Sequence, residues 1–474
     1  MFLWLLISMS VSLVTGYLFV SSFMPWQRSM FSYYLFKVSL SIGLGFGISS
    51  CSFFIYLLLF NNLDKSFILI DIVFLAFSIL LFIYKKKDEG GSFSFDTSSV
   101  LALTPVTPVM MKIISKLFVI MVIGIFILLM IKSIKTPHGY QDATAVYNMK
   151  ARFLFRGGEQ WSNAFNLGRW SNLSYPILLP GVVAGFWKYA GTDTTIIPII
   201  VSMLFTFSTI GLLFSSLSIM RGKSQGILAA FLLLGSTIFI QSGVNQVADV
   251  PVGFFYLSTI ILLCLKESHS TNYCPILILA GVTTGLAAWT KNEGIFFLLS
   301  VLVANALLVI PIKGWKTFLK EFNYFIIGLL PILAIIIYFK TQLVPNFWLT
   351  DQGFHSMIEK LTDLSRYFAV GKMFLMKVIT YNCGFLFLLP LYLVLLGRRS
   401  KIREGIAIYQ ILLLLCFMLS GLFFAYIITP HELSWQINTT SSRIFTQLLP
   451  GIIFVFFMIV NSPRESIESL RKFH

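Results

Sequence analysis

Long apolar stretches separated by short polar segments make up almost the whole chain. A helix needs about 20 consecutive apolar residues to cross the hydrocarbon core of a membrane, and we place about thirteen such stretches. The pattern therefore predicts an all-α polytopic membrane protein with about thirteen transmembrane helices. The predicted bounds are 2–22, 32–60, 67–84, 113–134, 195–219, 226–243, 250–265, 275–290, 294–312, 322–340, 373–396, 407–428 and 444–461.

Clusters of basic residues lie between several of these stretches. Lys and Arg are enriched in cytoplasmic loops, so such clusters indicate which side of the membrane a loop faces. All clusters fall on one side if the apolar stretch 175–189 does not cross completely. We therefore predict a re-entrant or interfacial helix there, broken by Pro176 and Pro180. The clusters are residues 85–87, Lys112 with Lys116, 221–223, Lys313 with Lys316 and Lys320, and 398–403.

The predicted spans divide the chain into three parts. Residues 1–111 hold three N-terminal helices and a cytoplasmic linker that is rich in Ser and Gly at 88–99. Residues 112–461 form the main membrane core, and 462–474 form a cytoplasmic tail. The core has two long outer loops, 135–174 and 341–372, and shorter ones at 241–249, 291–293 and 429–443. We expect any chemistry to take place in these outer loops.

Composition narrows the class of protein further. Hydrophobic residues make up 57% of the chain and charged residues 11%, whereas soluble domains carry about 25% charged residues. The net charge of +16 is divided among short clusters between spans, which is typical of membrane orientation and argues against nucleic-acid binding. The five cysteines lack disulfide or zinc spacing.

The loop after the fourth predicted span contains an amphipathic segment. We predict a helix at the membrane interface, because apolar and polar positions alternate with helical spacing. The apolar positions are Ala145, Val146, Met149 and Phe153, and the polar ones are Thr144, Asn148, Lys150 and Arg152. Asp142 stands at its start, where a carboxylate either caps free backbone N–H groups or acts as a general base.

Four further ionisable residues lie at predicted membrane boundaries, where charge is costly and therefore a functional candidate. Asp249 precedes one span, and Lys291 and Glu293 join two spans. Lys291 and Glu293 fit a local salt bridge as well as a substrate site. Arg443 opens the last span, where a guanidinium binds a phosphate or anchors a lipid headgroup.

Two weaker signals complete the candidate chemistry. Tyr175 is typical of the aromatic belt of membrane proteins, and sugar stacking is its functional alternative. A divalent metal remains open as a cofactor, because His138 lies near Asp142 and His431 adjoins Glu432. Neither pair shows dedicated ligand spacing, so we assign no metal ligands.

Several short motifs in this order resemble the GT-C membrane glycosyltransferases of the protein mannosyltransferase and aminoarabinose transferase type. The resemblance covers about residues 112–461, and two features depart from it. Three helices precede the usual first span, and a single Asp stands where some relatives have an acidic pair. The matching motifs are Gln141-Asp142, Tyr175-Pro176, Ala248-Asp249-Val250-Pro251, residues 285–294, and the stretch from Ser434 through Arg443 to Pro450.

This resemblance implies a GT-C-like core that moves a sugar from a polyprenyl-phosphate carrier to a glycan, lipid or protein acceptor. Asp142 would be the catalytic base, and Lys291 and Arg443 would meet the lipid phosphate. Asp249, Glu293 and Tyr175 would complete the substrate site. The expected location is the inner membrane of a bacterial cell, with the active site on the outer face.

Two other classes of membrane protein remain open at this stage. A polysaccharide polymerase or ligase would concentrate Arg and His in one outer loop, and loop 341–372 contains His355, Lys360 and Arg366. A transporter or flippase would place ionisable residues near the middle of the membrane, where Asp71 is the main candidate.

Overall fold

A computed structural model describes residues 2–24, 31–64, 66–87, 108–166, 174–268, 274–344, 353–380, 385–399, 405–463 and 465–466. In these ranges the fold is all-α, which confirms the predicted fold class, with one isolated bridge between Arg398 and Val460. The predicted linker 88–99 lies outside the described residues, and so does most of the predicted tail.

The α-helices of the described residues are numbered here in chain order. They are α1 (Phe2–Phe23), α2 (Phe31–Phe60), α3 (Phe67–Lys87), α4 (Pro108–Lys135), α5 (Asn148–Arg156), α6 (Leu178–Ala190), α7 (Ile196–Arg221), α8 (Lys223–Gly235), α9 (Thr237–Val244), α10 (Asp249–Ser268), α11 (Cys274–Thr290), α12 (Asn292–Lys313), α13 (Trp315–Tyr338), α14 (Phe354–Thr362), α15 (Leu364–Thr380), α16 (Phe385–Leu396), α17 (Gly405–Ile427) and α18 (Leu433–Ile459).

Ten helices of the described part are long and apolar enough to cross a membrane. The three other predicted spans also fall on helices, but on shorter or bent ones. The span at 226–243 is the pair α8 and α9, which meet at an angle of 68°. The span at 275–290 is the 17-residue helix α11, and the span at 373–396 is shared between α15 and α16.

The least apolar of the long helices is the most buried one, and the most apolar is the most exposed one. Helix α10 is the least apolar of the ten candidate spans, yet its spanning stretch is completely buried by other helices. Helix α4 is the most apolar of the ten and is almost wholly exposed. Apolar side chains cover the surface that faces lipid, whereas α10 places polar groups inside the bundle.

The first helices pack directly onto the core. Helix α2 lies against α6 and α7, with Phe46 edge-to-face against both Phe186 and Phe205. The indole of Trp289 on α11 donates to the Ser50 hydroxyl of α2 at 3.1 Å, and Ser50 donates to the carbonyl of Ile177 at 3.3 Å. Helix α2 therefore supports the segment that leads into α6.

The stretch predicted to be a broken re-entrant or interfacial helix is the continuous helix α6. The prediction that Pro180 breaks it is wrong, because Pro180 lies in the first turn, where no intrahelical N–H bond is lost. Most α6 side chains are buried within the protein. Gly191 ends the helix at φ 75°, a left-handed conformation that favours glycine.

Charged residues collect at two opposite ends of the bundle. Asp249 and Lys266 on α10 are separated by about 26 Å, from the helical rise of about 1.5 Å per residue. At the Lys266 end, its ammonium pairs with Glu321 at 2.6 Å, and Lys313 pairs with Glu267 at 2.6 Å. The residues predicted to face outward lie at the Asp249 end.

The last helix is held at the end distant from Asp249. The buried Arg221 donates to the carbonyls of Phe457 at 3.2 Å and Val460 at 2.7 Å, and it pairs with Glu465 at 2.9 Å. These contacts satisfy carbonyls that helix α18 leaves without a partner at its C-terminus. Helix α18 therefore has a fixed axial position, with Arg443 in its N-terminal half.

Candidate active site

The carboxylate of Asp249 is the centre of a charged cluster at the first end of the bundle. Asp249 is 0% exposed and accepts three side-chain hydrogen bonds. Lys291 Nζ and Gln447 Nε2 both donate to Oδ1 at 2.9 Å, and Arg443 Nε donates to Oδ2 at 2.7 Å. A buried carboxylate requires such donors, because its charge is otherwise costly to remove from water.

Arg443 connects this buried carboxylate to the predicted base. Its Nη1 donates to Oδ2 of Asp142, while its Nε is bonded to Asp249. The Asp142 side chain is 31% exposed, and it makes no capping bond to the helical segment that follows it. The capping role considered for Asp142 is therefore not observed, and its carboxylate is oriented by an arginine at the edge of solvent.

Lys291 brings the remaining predicted residues into the same cluster. Its Nζ pairs with Glu293 Oε1 at 2.7 Å as well as with Asp249, so the predicted local salt bridge is present. The Nζ also lies 5.7 Å from the centre of the Tyr175 ring, a cation–π distance. All six predicted site residues are thus connected through Lys291 and Arg443.

Local backbone geometry explains how the helices reach this arrangement. Lys291 lies at the break between α11 and α12, with an extended backbone that turns its side chain toward Asp249. Gly253 allows α10 to approach α18, because a Cβ there would be 2.9 Å from the carbonyl oxygen of Gln447. This close approach brings the Gln447 amide within reach of Asp249.

The segment that carries Asp142 is fastened to the segment that precedes Asp249. Tyr140 N donates to the carbonyl of Asn245 at 3.2 Å, and Asn148 Nδ2 donates to Oε1 of Gln246 at 2.8 Å. Gly139 has φ 73°, and a Cβ there would meet the Asn245 carbonyl at 2.7 Å. The two aspartates are therefore held in a fixed relation by their own loops.

The predicted interfacial helix is present, but its orientation differs from the prediction. It begins as a π-helical turn, Ala143–Tyr147, and continues as α5. Asn148 and Lys150, predicted on a solvated polar face, are buried, whereas Phe153 is exposed. The reason is that both polar side chains have partners inside the protein: Asn148 bonds to Gln246, and Lys150 to the carbonyl of Tyr175 at 3.3 Å.

Two further lysines, Lys150 and Lys340, lie beside the cluster and were not predicted as part of the site. Burial, and then the nearby Lys340 ammonium, lower the pKa of Lys150 to about 7. Lys340 itself donates to Oδ1 of Asn292 at 2.7 Å and to the carbonyl of Ser174. The two lysines thus bind the carbonyls of two consecutive residues, Ser174 and Tyr175.

Several buried polar atoms around the cluster have no hydrogen-bond partner among the described residues. Two of them belong to predicted residues: Oε2 of Glu293 and Nη2 of Arg443. Two others are the hydroxyls of Tyr147 and Tyr256, each on a residue that is 1% exposed. No spacing rule in the sequence indicates these hydroxyls, because each lies on a different element.

The cluster combines three carboxylates with two cations that are already paired to them. Over the described residues, no three His, Cys, Asp or Glu side chains come together in a way that could hold a metal ion. The divalent metal considered from the sequence stays a prediction. What the arrangement offers directly is an oriented, partly exposed carboxylate and a set of buried donors and acceptors.

The chain was compared with models of known protein families. Residues 175–339 match the sequence model of the dolichyl-phosphate-mannose-protein mannosyltransferase family. The matched segment contains Tyr175, Asp249, Lys291 and Glu293, and leaves Asp142 and Arg443 outside it. No significant match was found among curated proteins or among solved structures.

The match coincides with the part of the fold that builds most of the cluster, from the start of α6 to the end of α13. It confirms the resemblance inferred from the short motifs, and the helices confirm the membrane setting. Over residues 175–339 the chain is therefore similar to membrane glycosyltransferases of the GT-C type, which use a lipid-linked sugar.

Proposed function

We propose that this protein transfers the sugar of a polyprenyl-phosphate donor to an acceptor on the outer face of a bacterial inner membrane, with Asp142 as general base. The observation that carries the proposal is the position of Asp142. It is the most exposed of the three clustered carboxylates, at 31% against 21% for Glu293 and 0% for Asp249. Its Oδ1 accepts no hydrogen bond from the described residues, so that oxygen is available to an acceptor.

The proposed reaction is a direct displacement at the anomeric carbon. The acceptor's hydroxyl or amine loses its proton to Oδ1 of Asp142 as its lone pair forms the new glycosidic bond. The bond between the anomeric carbon and the phosphate oxygen breaks at the same time, and the lipid phosphate leaves with the electron pair. The configuration at the anomeric carbon is thereby inverted.

The leaving phosphate gains negative charge and needs a donor close by. Arg443 suits this role, because its Nη2 is buried and has no hydrogen-bond partner among the described residues. Lys291 is less suited than the sequence indicated, since its ammonium already binds two carboxylates, at 2.9 and 2.7 Å. We therefore assign the phosphate to Arg443, and we assign Lys291 to positioning Asp249 and Glu293.

The test is complementation of a strain that lacks the gene, with lipid-linked sugars measured by mass spectrometry. We expect a polyprenyl-phosphate sugar to accumulate in the deletion strain and in one expressing Asp142→Asn, and to disappear with the wild-type gene. Asp193→Asn is the control: this carboxylate pairs with Arg152 at 3.4 Å and lies outside the cluster. Full complementation by correctly folded Asp142→Asn protein would reject the base assignment.

A further inference from the structure

The buried polar atoms without partners point to the part of the substrate that the cluster binds. We propose that Tyr147, Tyr256 and Glu293 form a subsite for the ring hydroxyls of the donor sugar. This inference rests on the proposed function and adds the residues that would decide which sugar is accepted. It assigns a role to atoms that the transfer reaction itself does not use.

The placement of these residues brings them together around the Lys291–Glu293 pair. Tyr256 follows Asp249 by seven positions on α10, so both lie on the same face of that helix. The Tyr256 ring stacks on Phe297 at 4.2 Å, and Phe297 lies one helical turn after Glu293 on α12. Tyr256 and Glu293 are thereby held side by side.

Tyr147 reaches the same place from the loop that carries Asp142. Its ring stacks on that of Tyr175 at 6.4 Å, and the Tyr175 ring in turn faces the Lys291 ammonium. Ser441 lies two residues before Arg443 on α18 and therefore points to another face of that helix, so it is not part of the subsite. Tyr147, Tyr256 and Glu293 come from three separate elements and lie at the charged cluster.

The chemistry of the unpartnered atoms selects among ligands. A buried polar group that stays unpaired costs about 1–3 kcal/mol, so a fold that retains several favours a ligand that pairs with them. Glu293 Oε2 can only accept while ionised, and burial raises the pKa of Tyr147 well above its usual range, so its hydroxyl keeps its proton.

A sugar hydroxyl donates and accepts at once, so it satisfies both kinds of atom. A phosphate oxygen would be repelled by Glu293, and a polyprenyl chain would leave all three groups unpaired.

Depth in the site favours the donor sugar over the acceptor. Tyr147 and Tyr256 are 1% exposed, whereas the side chain of the proposed base is 31% exposed. An acceptor has to approach Asp142 from the exposed side, because the displacement requires it opposite the leaving phosphate. The inner position then belongs to the glycosyl group that is transferred.

The first measurement separates ligand-binding hydroxyls from structural ones. Tyr147→Phe and Tyr256→Phe remove hydroxyls that make no bond to the described residues, so thermal unfolding in detergent should show no loss of stability. Tyr189→Phe is the matched control, because its hydroxyl donates to Asp71 at 2.8 Å. The control should unfold at a lower temperature than the wild type. Loss of stability in both site variants would show that the hydroxyls are structural and overturn the subsite.

The second measurement is binding of defined lipids to protein in nanodiscs. The probes are undecaprenyl phosphate and its mannosyl, glucosyl and galactosyl conjugates. We expect the wild type to bind at least one conjugate more tightly than the bare lipid. For that conjugate, each Tyr→Phe variant should raise Kd about 5-fold, as for loss of one neutral hydrogen bond, and Glu293→Gln about 10-fold or more. Binding of the bare lipid should stay unchanged.

The outcomes separate failure of the subsite from failure of the proposed function. If Tyr256→Phe and Glu293→Gln bind the preferred conjugate as the wild type does, the subsite is wrong. If the wild type binds bare lipid and every conjugate equally, the subsite is also wrong, while the donor class stands. If the wild type binds none of the four lipids, the proposed polyprenyl-phosphate donor is rejected, and the subsite is rejected with it.

Discussion

Arg443 is bonded to two aspartates whose surroundings differ. The same substitution should therefore reduce stability at one of them and sugar transfer at the other. Asp249→Asn and Asp142→Asn both replace a carboxylate by an amide of nearly the same shape. Asp249 is 0% exposed and binds two cations and the Gln447 amide. Asp142 is 31% exposed, and its side chain binds Arg443 alone among the residues that the structure describes. The pair therefore separates folding from chemistry.

The expected magnitudes follow from burial. Removing one partner of a buried ion pair costs about 3–5 kcal/mol, because the remaining charge is left without compensation. Asp249→Asn weakens the compensation of both Lys291 and Arg443, so we expect a loss in that range or above. The Asp142–Arg443 pair is partly exposed, at 31% and 25% of the two side chains, and Arg443 keeps its bond to Asp249 when Asp142 is changed. The loss for Asp142→Asn should therefore stay closer to the value of about 1 kcal/mol that is typical of an exposed pair. Its effect should appear in sugar transfer instead.

The assay combines the yield and the apparent unfolding temperature of each variant in detergent with complementation of the deletion strain. Asp249→Asn should reduce yield and unfolding temperature strongly, and Asp142→Asn should retain both while failing to complement. The reasoning would be refuted by an Asp249→Asn protein that unfolds like the wild type. It would also be refuted by an Asp142→Asn protein that is as unstable as the Asp249→Asn protein.

Three further predictions concern packing, pH and sidedness. Gly253→Ala should destabilise the protein by about 1–3 kcal/mol through overpacking. Gly124→Ala is the control and should cause no such loss, because nothing lies within 4 Å of its added Cβ. Unfolding of both variants in detergent is the measurement, and equal effects would contradict the close approach of α10 and α18. Burial lowers the pKa of Lys150 to about 7, below its value in the unfolded state. Above pH 7 the unfolded state therefore binds more protons than the folded state, and stability should rise with pH from about 7 to about 10.5. Lys150→Met should flatten this rise, and an unchanged stability profile in that variant would contradict the prediction. Membrane-impermeant thiol labelling of intact cells should reach Ser434→Cys and not Lys316→Cys, relative to the unmodified chain, and labelling of both would refute the predicted topology.

Much of the site could be predicted because membrane physics restricts where charge is found. Asp249, Lys291 and Arg443 lie at the edges of apolar stretches, and parity of the spans places these edges on one side. Charges of opposite sign at one end of a bundle are expected to pair, and they do. The sequence does not indicate which carboxylate becomes the buried centre, because Asp142 and Asp249 both stand at the start of helical segments.

The parts of the site that could not be predicted depend on how the helices pack against one another. Gln447 is an uncharged residue within the last span, and only the close approach at Gly253 brings it to Asp249. Asn148 and Lys150 look like a solvated face, because helical periodicity cannot tell water from a polar interior. The unpartnered hydroxyls of Tyr147 and Tyr256 also escape sequence analysis, since a buried tyrosine is usually part of a core.

The complete burial of α10 has a consequence for how the protein is made. This helix meets little lipid in the finished fold, yet each span of a membrane protein has to leave the insertion machinery and enter lipid. With a charged residue near each end and the lowest hydropathy of the ten long helices, α10 is poorly suited to insert alone. Its integration should depend on neighbouring helices that are already in place, so deletion of a neighbour should cause failure during biosynthesis, before any catalytic step is tested.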